Sequence, residues 1–231
     1  MTVRKSLARA IALAVTAASL LTIAGPVSAG GDTRATVFVV HGLPGGKVDV
    51  CIGGLGEVAS GLPYAERFKK RLDPGSYKIK VRAASNGECK GDVVAKSPLT
   101  VAELDNLTAV VRSVDGTPGI TTFGNDVSPT APGEIRLTIA HMMKGGPIDV
   151  WSNGVVEIAG LLRGDDEATT LPADAVYSVW GTKTGESAPV VGPRVIDSTS
   201  EGQAFSFVMV GTKVANSRFV VFKQPVVTPP A

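Results

Sequence analysis

The 231-residue sequence predicts an all-β protein: two tandem immunoglobulin-like antiparallel β-sandwich domains behind a cleaved signal peptide. Three observations lead there. The chain matches itself at an offset of about one hundred residues. Short runs of β-branched residues recur between turn signals roughly every ten residues. Beyond the first thirty residues no window holds a sustained helical period. A composition of 27 Gly and 15 Pro with only 5% aromatic residues suits many short strands and tight turns.

The N-terminal segment has a basic start (Arg4, Lys5, Arg9), an apolar stretch over 10–24 and the small residues Val27-Ser28-Ala29. This is the plan of a secretory signal peptide over residues 1–29, with cleavage expected after Ala29. An apolar run of roughly 15 residues is short for a span, which needs about 20, so a cleaved leader is expected rather than an anchor, and no later stretch is apolar enough to expect a membrane span in the mature chain. Removing 1–29 leaves 20 basic against 21 acidic residues. The basic pI of the whole sequence therefore belongs to the leader, and no basic stripe marks a nucleic-acid partner.

Residues 137–162 (LTIAHMMKGGPIDVWSNGVVEIAGLL) lie without a gap on residues 37–62 (VFVVHGLPGGKVDVCIGGLGEVASGL). His41 falls on His141, Gly45-Gly46 on Gly145-Gly146, and Asp49-Val50 on Asp149-Val150. Leu72 then matches Leu171, Tyr77 matches Tyr177, 108–113 (TAVVRS) pairs with 207–212 (FVMVGT), and Phe123 with Phe222. The expected organisation is a first sandwich over 30–126, a Pro-rich linker at 127–133, a second sandwich over 134–224 and a Pro-rich tail at 225–231. Within each unit, 37–40 and 108–111 read as central strands. Val48, Val50 and Ile52 alternate as a two-faced strand. Gly53-Gly54 and Asn153-Gly154 are hairpin turns, and Pro74-Gly75 introduces the strand at 77–81. About seven strands per unit are expected.

These residues carry a resemblance. The order His-x-x-Pro, Val-Asp-Val, an aromatic, and Asn-Gly or Gly-Gly, followed by Leu-x-Pro-Gly-x-Tyr, resembles the bacterial domain-of-unknown-function family 4397 in two tandem copies. His41, Pro44, Val48, Asp49, Val50, Gly54, Leu72, Pro74, Gly75 and Tyr77 match in the first unit. His141, Ile148, Asp149, Val150, Trp151, Asn153, Gly154 and Tyr177 match in the second. Cys51 replaces the usual aromatic and Lys144 the proline. The resemblance implies a secreted β-rich protein and no particular reaction.

The stretch VFVVHGLPGG, residues 37–46, also reads as the oxyanion loop of an esterase-like secreted hydrolase built on His41-Gly42. That alternative needs a G-x-S-x-G elbow, which is absent from the sequence, and a separate base. The other histidine, His141, is the repeat image of His41, so a shared structural role is expected, with Asp49 and Asp149 as hydrogen-bond partners. A His-Asp pair supplies too few ligands for a stable metal site; no metal, cofactor or catalytic set is expected. Cys51 and Cys89 are the only cysteines. Export and their joint absence from the second unit, where Trp151 and Ser187 stand, predict a disulfide.

Arg163-Gly164-Asp165 is read as a chance tripeptide on a polar loop. Lys69, Lys70 and Arg71 against Asp165, Asp166 and Glu167 read as equivalent loops of opposite charge, candidates for contact between domains or molecules. The functional expectation is an exported, non-catalytic protein with a binding or structural role at the cell envelope or outside the cell. Its partner would be an envelope or extracellular protein or polymer.

Overall fold

The computed structural model describes residues 32–85, 87–197 and 200–226. The expected signal peptide and the end of the Pro-rich tail lie outside the described residues. The first repeat holds β1 (Ala35–His41), β2 (Val48–Ile52), β3 (Gly56–Leu62), β4 (Arg67–Leu72), β5 (Gly75–Ala83), β6 (Val93–Val101), β7 (Asn106–Val114) and β8 (Thr117–Gly124). The second holds β9 (Glu134–His141), β10 (Ile148–Ser152), β11 (Val155–Leu161), β12 (Asp166–Pro172), β13 (Tyr177–Lys183), β14 (Pro189–Ile196), β15 (Ala204–Val210) and β16 (Arg218–Gln224). No helix among the described residues is long and apolar enough to cross a membrane.

Each repeat is a sandwich of two four-stranded sheets, ordered β4-β1-β7-β8 over β3-β2-β5-β6 and β12-β9-β15-β16 over β11-β10-β13-β14. Pairing is antiparallel except where β1 runs parallel to β7 and β9 to β15. Among the described residues each repeat has eight strands, where about seven were expected. The additional one is β4 or β12, whose charged sequence, RFKKRL or DEATTLP, hides the apolar alternation of an edge strand. The β10–β11 turn uses Asn153 and Gly154 at φ +47° and +89°, the left-handed pair that a type I′ hairpin requires.

The register corrects one sequence match. Val40 faces Val110, and Ala140 faces Val208. Residues 108–113 therefore correspond to 206–211, one position earlier than the matched letters. The slip matters because one residue exchanges the two faces of a strand. The other matches agree with the register: Leu72 and Leu171 oppose Ala35 and Ile135. The hydroxyls of Tyr77 and Tyr177 donate to the carbonyls of Asp73 and Pro172, at 2.8 and 2.7 Å.

All seven residues of β1 are buried, as are all but the first of β9. Continuous burial means that both faces of these strands are covered. Ala35, Val37 and Val39 face the core of the first sandwich, with Ile52, Ile79 and Val81. Ile135, Leu137 and Ile139 face that of the second, with Phe207 and Met209. The opposite faces form a third core shared by the repeats, in which Phe38, Val40 and Val110 meet Met142, Val208 and Phe222. At Gly42 the repeats approach closely: a Cβ there would lie 2.8 Å from Val210 Cγ1 of the second repeat and from the Val111 carbonyl oxygen of its own. Its counterpart Met142 instead fills the shared core. The Pro-rich strip is held at the start of β9, where the Arg136 guanidinium donates to the Ser128 carbonyl at 2.8 Å and pairs with the Asp126 carboxylate at 3.1 Å.

Candidate functional site

His41 and His141 end β1 and β9 in the same backbone setting. The carbonyl of each accepts an amide from the next loop, Ala65 N–H or Gly164 N–H, both at 2.8 Å. Their side chains differ. His41 Nδ1 bonds the Leu62 carbonyl at 3.1 Å, whereas His141 Nε2 bonds the Gly146 carbonyl at 2.9 Å. Neither reaches the expected aspartate, because His41 and Asp49 belong to different sheets of the sandwich. Asp49 instead accepts the amides of Gly61 at 2.8 Å and Ser85 at 3.0 Å, with the Ser60 hydroxyl at 3.3 Å. Asp149 does the same with Gly160 at 2.8 Å and Gly185 at 3.1 Å. Gly61 and Gly160 carry φ of +60° and +69° beside the irregular β2–β3 and β10–β11 registers. Each aspartate thus holds a bulged strand and a loop by their free amides.

These groups give the fold a defined acid response. Burial lowers the pKa of both histidines below the ordinary 6.5, against the backbone carbonyls that favour the charged form. The unfolded chain then takes up protons that the folded chain refuses, so their contribution to stability is present above pH 6.5 and lost as pH falls toward the lowered folded values. For Asp49 and Asp149 burial pushes the pKa up, but the amide and hydroxyl donors outweigh it and leave the carboxyls below 3.8. Their contribution is lost as pH falls below the unfolded value. The expected result is a melting temperature that declines below pH 6.5 and again below about pH 4. In His41→Gln with His141→Gln the upper decline should vanish; an unchanged upper decline would rule out this assignment. Asp49→Ala orphans two half-buried amides and should cost about 2 kcal/mol in urea unfolding, against no measurable cost if water replaces the carboxylate.

Cys51 and Cys89 form a disulfide, with their Cα atoms 6.2 Å apart. The charged segments are not loops. Lys69, Lys70 and Arg71 lie within β4, and Asp166 and Glu167 within β12, just after Asp165. Among the described residues no ion pair joins the two segments. The acidic edge lies near Arg112 and Arg163, and burial together with Asp165 raises the Asp166 pKa. The Arg163-Gly164-Asp165 tripeptide is part of this junction, since the Arg163 guanidinium donates to the Ser113 carbonyl and the Gly164 Cα faces Arg112.

The basic edge borders a groove. Arg67, Lys69 and Arg71 alternate along β4 on the face shared with Val40, Phe38 and Thr36. They therefore line the seam between the repeats. Across it, the Arg67 guanidinium lies 5.6 Å from the Phe38 ring centroid and 5.1 Å from that of Phe222, whose rings are 4.5 Å apart. Lys69 Nζ sits 5.8 Å from the Phe38 centroid. A cleft of about 600 Å³ opens here, lined by Tyr64, Glu66, Arg67, Arg194, Arg218 and Phe219. The Tyr64 hydroxyl closes one end by donating to the Asn216 carbonyl. Burial raises its pKa, against the charge of Arg218. The groove continues past Asp197 and Lys223. Among the described residues Arg67, Arg194 and Arg218 form no ion pair with a carboxylate. Sequence reasoning placed Lys69 to Arg71 on a loop and missed Arg67, Arg194 and Arg218. The available signal was the alternation in RFKKR, which as a strand puts Arg67, Lys69 and Arg71 on one face.

The family model described as "Domain of unknown function (DUF4397)" matches residues 35–151. The chain belongs to this family. The matched region takes in β1–β8 and continues through most of β10. No curated protein matches the sequence. Among solved structures, the chain is similar to the Bacillus anthracis TIE protein at 12% identity and a TM-score of 0.25, over 78% of this chain and 35% of that one. It thus spans about a third of the TIE protein. It is also similar to CBMbc (family CBM26) of Eubacterium rectale Amy13K, solved in complex with maltoheptaose, at 12% identity and a TM-score of 0.26, over 85% of this chain and 98% of that one.

Proposed function

We propose that the protein is an exported, non-catalytic binding protein built from two tandem copies of the family domain, acting at the cell envelope or outside the cell. Its binding face is the seam between the repeats. The observation that carries this reading is the convergence of Arg67, Arg194 and Arg218 on one open cleft, with no carboxylate paired to any of them among the described residues. Guanidinium groups left in this way are suited to hold a ligand rather than to transform one. Two further facts favour binding over the hydrolase alternative. His41 is only 2% exposed, and the Gly42 amide, which an oxyanion hole would need, donates to the Val111 carbonyl at 2.9 Å. Export rests on the tripartite N-terminal sequence and on the disulfide, which persists in oxidising compartments.

The test is co-sedimentation of the exported protein with cell-wall, membrane and secreted fractions. Wild type should be retained by one fraction, and Arg194→Gln with Arg218→Gln should lose at least about tenfold of that retention, as expected for two charge-assisted contacts. Equal retention of both proteins would refute the seam as the binding face. Hydrolysis of generic esters or glycosides abolished by His41→Ala would restore the enzyme.

A further inference from the structure

Resting on the proposed binding seam, we infer that its ligand is a linear polyanion, an acidic polymer whose repeating carboxylate or phosphate groups lie along β4 and β16. Charge segregation is the first reason. The sequence after residue 29 carries 20 basic and 21 acidic residues, yet Arg67, Lys69, Arg194, Arg218 and Lys223 collect on this seam. The carboxylates of Glu66, Asp105 and Asp197 line the same groove, leaving an excess of positive charge. The other junction of the repeats has Asp165 and Asp166 beside Arg112 and Arg163, so basic character is particular to the seam.

Shape is the second reason. Arg67, Lys69 and Arg71 follow one another on one face of an extended strand, which sets their Cα atoms at a repeat of about 6.6 Å. A row at constant spacing along an open groove fits an extended chain with a charge on every repeat unit better than a compact anion. The cation–ring contacts decide against nucleic acid. Sequence-tolerant binding of single strands uses exposed aromatic faces on which bases stack. Here Phe38 and Phe222 are 1% and 3% exposed and packed beneath the Arg67 guanidinium, and of the half-buried rings that line the cleft, Phe219 packs edge-on against Phe207 and Tyr64 is tied by its hydroxyl to the Asn216 carbonyl. The seam offers guanidinium forks for oxyanions and keeps its central rings for the shared core.

The experiment measures binding of the exported protein to four probes: polygalacturonate, inorganic polyphosphate, dextran as a neutral polymer, and oligothymidylate. Wild type should bind polygalacturonate or polyphosphate and not dextran. The tighter of the two identifies carboxylate or phosphate as the recognised group. Affinity should fall by at least about tenfold between roughly 50 and 200 mM salt, as for any contact that releases counterions. Arg194→Gln with Arg218→Gln should weaken binding roughly 100-fold without shifting the melting temperature, because both side chains are exposed. Arg67→Lys keeps the charge but loses the fork, and should weaken binding by a smaller factor. Equal polyanion binding by wild type and the double variant would overturn the inference, as would tighter binding of oligothymidylate. If neither polyanion binds while envelope retention still depends on Arg194 and Arg218, the ligand class is wrong and the binding seam stands.

Discussion

Phe38→Ala is expected to destabilise the protein by about 3–5 kcal/mol, the range for removing a buried aromatic ring. It should also uncouple the two repeats in unfolding. Phe38 is 1% exposed, belongs to neither sandwich's own core, and packs 4.5 Å from Phe222 of the other repeat. Truncation leaves a cavity between two sheets whose backbones are held by their own ladders, so neither can collapse far to fill it. Urea unfolding followed by tryptophan fluorescence isolates the second repeat, since Trp151 and Trp180 both lie there. Far-ultraviolet circular dichroism follows both repeats. Coincident transitions in wild type should separate in the variant. A loss below about 1 kcal/mol with transitions still coincident would mean that the shared core contributes little. Leu55→Ala, a substitution at a side chain 47% exposed, is the control and should stay within about 0.5 kcal/mol.

Cys51→Ser with Cys89→Ser is expected to cost about 4 kcal/mol, the chain-entropy value for a bridge with a sequence separation of 38. The loss should fall on the first repeat. The second repeat has a different device at the same place. Trp151 opposes Trp180 across β10 and β13, with the rings parallel within 5° and their centroids 6.1 Å apart, and Trp151 Nε1 donates to the Thr182 hydroxyl at 3.0 Å. Such an aromatic pair contributes about 0.5–1.5 kcal/mol beyond its buried area, so the covalent link is the stronger of the two. Hydrogen exchange, with the disulfide reduced and alkylated, should show faster opening of β2 and β5 and leave β10 and β13 unchanged. Uniform acceleration across both repeats would instead place the bridge's effect on the whole molecule.

Much of the architecture was legible because it depends on local patterns. Alternation in 48–52, the Asn153-Gly154 turn and the repeat of His41, Asp49 and Tyr77 at His141, Asp149 and Tyr177 each report a strand, a hairpin or a fixed corner. The cysteine pair was legible through its joint absence from the second unit. The edge strands β4 and β12 were not. A strand with one buried face and several charges presents the same letters as a polar loop, and only its ladder with β1 or β9 distinguishes them. The partners of Asp49 were hidden for a related reason. Backbone amides freed by a bulge carry no residue-type signature, so a histidine was the visible partner and the wrong one.

The sequence by itself determined the all-β class, the duplication, the disulfide and the positions that hold each sandwich, because spacing and residue type specify local backbone geometry. The tertiary structure alone decided that β1 and β9 are covered on both faces, that the repeats share a core around Phe38 and Phe222, and that Arg67, Arg194 and Arg218 meet in one cleft. Phe38 and Phe222, and Arg67 and its partners Arg194 and Arg218, are separated by more than one hundred positions. No local pattern encodes their approach, which follows from burying the outer faces of two sheets against each other.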